Sequence, residues 1–140
     1  MKAPGVGIAG YAWSRLGALK MPVTGRQLRL DGTVRCRPGQ SIGIPDAAGV
    51  YIFHDLRGAI YVGRTKDLRR RFFEHQEVPV NKILLRARRE PVGDLRFSWL
   101  LAERPIQDDW ERFLVVALQP LANQITFREY AERKGVTTWQ

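Results

Sequence analysis

The chain has 140 residues, 44% of them apolar, which is enough for one compact domain and excludes both wholesale disorder and a comfortable pair of domains. The single cysteine, Cys36, excludes an internal disulfide and every multi-cysteine zinc module, and no apolar run approaches the length of a membrane span. The net charge of +9 is more single-sign charge than solubility requires in so small a domain, and it points to a polyanionic partner.

In chain order, Met1 to Ala12 has a short apolar stretch broken by glycine rather than the long apolar centre of a signal peptide. A cytoplasmic protein, monomeric and without a membrane partner, is expected. Residues 1–48 form an N-terminal extension rich in Gly and Pro. A strand-adding arm, a DNA clamp and an interaction surface all remain open for it. Within it, Leu28 and Leu30 alternate with charged residues, as do Val34 and Cys36, and Asp31-Gly32 between them reads as the turn of a short hairpin.

From Gly49 the pattern sharpens. Val50 to Phe53 and Ala59 to Val62 are β-prone runs, joined through Asp55-Leu56-Arg57-Gly58 by a three-residue loop with a bulge at Gly58. That parity places Tyr51, Phe53, Tyr61 and Gly63 on one face. Val50, Ile52, Ile60 and Val62 form the other, purely apolar face, which should meet the core. A helix capped by Thr65 runs to about His75, and residues 80–89 predict a second, basic helix with one buried side. Leu95 to Ala102 reads as a third strand. Asp108 opens a last helix, which Pro120 ends. The expected fold is α+β, a three-stranded antiparallel sheet flanked by helices.

Helical phase separates residues that look alike in sequence. At about 100° per residue, Leu68, Arg71, Phe72 and His75 share one side of the first helix. Arg71 therefore aims along the apolar stripe, where a guanidinium can grip a phosphate. Arg69 and Arg70 point elsewhere, to solvent or to a DNA backbone. Glu111 falls beside Leu114, Val115 and Leu118, where a carboxylate needs a partner. A divalent cation would serve, and so would a capping box with Asp108. Tyr51 and Tyr61 are either a packed pair or, beside the open approach at Gly63, phenols that reach a substrate.

In order, Gly49-Val50-Tyr51, Tyr61-Val62-Gly63-Arg64, Arg71, His75, Glu111 and then Pro120 with Asn123 resemble the GIY-YIG nuclease family over about residues 49–123. The resemblance implies a nuclease domain at 49–126 with a C-terminal tail at 127–140. It implies a metal-dependent DNA endonuclease that uses Mg²⁺ or Mn²⁺ on Glu111. Arg71 would balance developing charge, one tyrosine would activate water, and Arg64 and His75 would contact phosphate. Asn123 would fix local geometry near the substrate. Tyr51 is favoured as the base, with Tyr61 positioning water or phosphate. The rival from another class is a nucleic-acid-binding module on the same scaffold without turnover.

Overall fold

The computed structural model of the chain describes residues 28–77 and 81–123. Met1 to Ala12, the rest of the extension through residue 27, and the 127–140 tail lie outside the described residues. The described chain builds four strands: β1 (Gly32–Arg35), β2 (Gly49–Asp55), β3 (Gly58–Thr65) and β4 (Arg96–Leu101). Its helices are α1 (Leu68–Glu77), α2 (Lys82–Arg89) and α3 (Ile106–Leu118), with a 3-10 turn at Gln40–Gly43. All strands join one antiparallel sheet in the order β1-β4-β2-β3. The α+β class holds, with four strands where three were expected.

The extra strand corrects the reading of residues 28–37. Asp31-Gly32 is no hairpin turn. Gly32 faces Trp99, so close that a Cβ would overlap the indole. Asp31 also donates its backbone N–H to the Trp99 carbonyl, and its carboxylate accepts from Leu101 N at 2.6 Å. The Asp-Gly pair thus joins a long-range ladder. Short-range alternation could not name that partner, which lies more than sixty residues away.

The β2–β3 hairpin also differs from its expected form. Asp55 pairs with Gly58, so the loop is the two residues Leu56 and Arg57. Asp55 tightens it by accepting from the Arg57 backbone at 2.8 Å, from the Arg57 guanidinium, and from Val92 N. The irregularity moves inward, where Tyr61 pairs with Phe53 but Ala59 with His54, leaving Ile60 as the extra residue. Ile60 and Tyr61 consequently pack with the same cluster. Ile60 leaves the Val50–Ile52–Val62 face assigned to it, and Ala59 takes its place.

Both sheet faces are covered, so the core is two clusters rather than one. Trp110, Leu114 and Leu118 of α3 cover Val50, Ile52 and Val62. Leu68 and Phe72 of α1, with Leu84 and Ala87 of α2, cover Tyr51, Phe53 and Phe97. Asp67, rather than Thr65, caps α1: its side chain accepts from Arg70 N, and its carbonyl accepts from Arg71 N. Thr65 ends β3 and supports that cap by accepting from Asp67 N. Asn81 caps α2 by accepting from Ile83 N and Leu84 N. Helix α3 starts two residues before Asp108, which therefore sits in its first turn and not at its cap.

Candidate active site

Tyr51 stands on the central strand β2 with no exposed surface. Its hydroxyl lies 2.9 Å from His75 Nε2 and accepts from Arg71 Nε at 3.3 Å. Since Arg71 can only donate, the arrangement that satisfies all three groups has the phenol donating to a neutral His75. Burial, then the Arg71 charge, lowers His75 to about 4, which keeps the imidazole neutral at pH 7. Burial likewise raises Tyr51 well above a free phenol, more than Arg71 offsets. Both hydrogen-bond directions of this hydroxyl are taken and no surface is left for water. That geometry speaks against Tyr51 as the base.

Tyr61 is the more open of the two, its ring centroid 6.1 Å from that of Tyr51. Burial raises it as well, while Arg71 lowers it and Glu111 raises it. Arg71 donates to Glu74 at 3.1 Å with its other arm and keeps a side chain 42% exposed. The expected phase of Arg71 toward the hairpin is the observed one.

Glu111 comes from α3, whose body packs on the sheet face opposite the tyrosines. Strand β3 is one edge of the sheet, and Glu111 meets Arg64 at its end; the Glu111 charge acts to raise both Tyr51 and Tyr61. Glu111 is half-buried, and desolvation lifts its carboxyl above the ordinary range, against the Arg64 charge. Arg64, at the end of β3, donates to Asp108 at 2.6 Å and lies 3.7 Å from Glu111. The capping-box reading of Asp108 and Glu111 is thereby displaced: one guanidinium bridges the two carboxylates.

The remaining expected substrate contacts separate. Gly63 makes room for protein, because a Cβ there would overlap the Tyr51 phenol. Asn123 is buried and wholly engaged. Its Oδ1 accepts from Val62 N at 2.6 Å and its Nδ2 donates to Val62 O at 2.8 Å, so it closes the outer edge of β3. Neither is open to a substrate. Arg69 is turned away from the tyrosines, donating to Ile44 O at 2.8 Å and to Asp46 at 2.9 Å. Arg70 is exposed beside Glu74.

Two positioning residues escaped the sequence. Gln107, almost fully buried, donates from Nε2 to the carbonyls of Gly49, Thr65 and Ala102. It ties the start of α3 to three strand ends and so sets the height of Glu111 one turn later. Nothing in sequence marks a lone Gln in a first turn. Asp108 was readable only as a cap, although its spacing from Glu111 already put both on neighbouring positions of one face.

The donor set suits a hard divalent cation. Among the described residues there is no group of three or more His, Cys, Asp and Glu side chains that could hold a metal. The imidazole of His75 is spent on Tyr51. What remains is the carboxylate oxygen of Glu111, and Mg²⁺ or Mn²⁺ binds through one or two carboxylates with water and phosphate completing the shell.

Residues 47–119, just over half of the chain, match the GIY-YIG catalytic domain. The chain belongs to the GIY-YIG family. Two solved structures are similar to it, both of the GIY-YIG N-terminal endonuclease domain of UvrC from Thermotoga maritima. One is bound to its catalytic magnesium, with 19% identity over 59% of this chain and 89% of that one and a TM-score of 0.49. The other is a point mutant bound to its catalytic divalent cation, with 22% identity over 59% and 88% and a TM-score of 0.49. No curated protein matches the chain. The GIY-YIG match takes in Tyr51, Tyr61, Arg71 and Glu111, and it leaves out β1 and Asn123. No helix among the described residues is long and apolar enough to cross a membrane.

Proposed function

We propose that this chain is a divalent-metal-dependent endonuclease that hydrolyses the phosphodiester backbone of DNA. The observation that carries the reading is Arg71, held by the Tyr51 hydroxyl and by Glu74 with its guanidinium still partly exposed, in a chain whose GIY-YIG match also takes in the half-buried Glu111. A binding module has no use for a desolvated acid at that place, whereas phosphoryl transfer needs a cation and donors around developing charge.

Glu111 would hold the metal, Mg²⁺ or Mn²⁺, with Asp108 kept on Arg64. Bound there, the cation supplies Lewis-acid polarisation of the scissile phosphate and charge for the leaving oxygen. Arg71 is pre-organised by Tyr51 and Glu74 and presents its exposed guanidinium to the non-bridging oxygens. Tyr61 orients the attacking water and would take its proton in the phenolate form, which Arg71 and a bound cation favour against burial. The role favoured for Tyr51 from sequence passes to it because Tyr51 has no open surface. Tyr51 and His75 hold Arg71 and Tyr61 in register. Arg64, still held by Asp108, would contact phosphate at the mouth of the cleft once metal balances Glu111.

The test is supercoiled plasmid incubated with Mg²⁺, with Mn²⁺, or with EDTA, repeated with Glu111→Ala. Metal-dependent nicking that the substitution abolishes is the expected result. Binding without nicking, indifferent to Glu111, would establish the non-catalytic module instead.

A further inference from the structure

The strand outside the family match ends in an uneven set of charges. Elsewhere Arg57 has Asp55, Arg69 has Asp46 and Arg71 has Glu74. At the end of β1, Arg35 and Arg37 share the single carboxylate of Asp94, at 3.4 and 3.8 Å. Arg88, from α2, pairs with no carboxylate among the described residues. These three guanidiniums and Asp94 line one cavity of about 240 Å³, together with Cys36 and Leu95. Among the described residues, three positive charges face one negative there.

The cavity is built rather than incidental. Arg88 is fixed by donating from one terminal nitrogen to the carbonyls of His75 and Gln76, at 2.7 and 3.0 Å. Among the described residues its other nitrogens make no hydrogen bond, and a guanidinium held in advance loses little freedom on binding. Arg35 and Arg37 are about half and two-thirds exposed, so their pairing with Asp94 is weak and replaceable. Cys36 adds no repulsion: burial pushes its thiol up to about 12, so it stays neutral. Leu95 and Cys36 belong to the cluster that contains Tyr51. Arg88 holds the very turn that carries His75. The cavity therefore lies on the tyrosine side of the sheet, with Arg88 bonded to the backbone of His75.

We propose that this cavity is a second phosphate site, where Arg35, Arg37 and Arg88 hold a backbone phosphate of the nucleic acid whose scissile phosphate enters the cleft. It rests on the reading that the ligand is nucleic acid, but not on turnover. The segment that adds β1 thereby acts as part of the substrate track.

The test is binding of a fluorescent duplex to the full chain in EDTA, as a function of salt, with far-UV circular dichroism as the check on folding. The paired substitution Arg35→Ser with Arg37→Ser should weaken binding about tenfold and flatten the log–log salt slope by about one to two. Asp94→Asn should instead tighten binding severalfold, beyond the gain from Glu103→Gln, which makes the same charge change at the other end of β4. An unchanged affinity and slope in a folded serine variant overturns the proposal. If that variant does not fold, Asp94→Asn decides, and a gain no larger than that of Glu103→Gln overturns it. Wild type that nicks plasmid while the serine variant binds as before sinks this site and leaves the nuclease intact. Wild type that binds through these arginines yet never nicks does the reverse.

Discussion

Arg64 donates to Asp108 at 2.6 Å and leaves Glu111 at 3.7 Å. Asp108 thus draws the guanidinium away from the one carboxylate suited to a cation. With Asp108→Asn, Arg64 loses its nearer partner and closes on Glu111, where it competes with metal. The expected result is a several-fold rise in the Mg²⁺ concentration that half-saturates nicking, with the rate at saturating Mg²⁺ largely kept. A titration unchanged by the substitution would show that Asp108 has no hold on the site.

Tyr51 and Tyr61 should separate under conservative substitution. Tyr61→Phe removes the phenol placed at the water and should lower the single-turnover rate by about 10²-fold or more, with little change in duplex binding. Tyr51→Phe leaves His75 Nε2 and Arg71 Nε without their shared partner, and should cost about 1–3 kcal/mol in urea unfolding. Equal rate losses with unchanged stability in both variants would contradict this division.

The parts of the site that could be read from sequence were those set by local period. Helical phase singled out Arg71 from its two neighbours, and strand parity placed Tyr51 and Tyr61 on one face. What could not be read depended on distant partners. The bulge moved to Ile60 because Asp55 closes its loop with help from Val92 in another segment. Gly63 looked like an approach for substrate because only the three-dimensional fold reveals the Tyr51 ring above it. Gln107 carries no pattern at all, since its three acceptors lie at three separate strand ends.

Asn123 should matter for stability rather than for substrate. Asn123→Ala deletes both bonds to Val62 and leaves a buried backbone N–H and carbonyl unpaired, a loss of about 2–3 kcal/mol read from the urea midpoint. Asn123→Asp keeps an acceptor for Val62 N but sets an oxygen against Val62 O, and should rescue little. A marginal change in the alanine variant would mean that water replaces the amide at this edge.

Acid should loosen the fold through its two described histidines. Burial first, then Arg96 for His54 and Arg71 for His75, lowers both from 6.5 to about 4. Folded values are depressed, so the unfolded chain takes up protons first. The stabilisation from neutral imidazoles is complete above about pH 6.5 and is lost as pH falls toward 4. For buried His54, bonded to Ser98 at 2.7 Å, this is on the order of 2 kcal/mol between pH 7 and 5. Stability should fall with acid across that window in the wild type and fall about half as steeply in His54→Asn, which keeps His75, as read by urea denaturation at each pH.

Strand β1 has a bearing on how the chain can be cut. A fragment beginning at residue 47 contains all that defines the catalytic family, yet it strips β4 of its outer neighbour and uncovers Trp99, now only 5% exposed. Such a fragment presents an open ladder beside an aromatic face, the kind of surface on which copies of a chain aggregate. The evolutionary unit and the cooperative unit of folding therefore have different first residues here, and expression trials should respect the second.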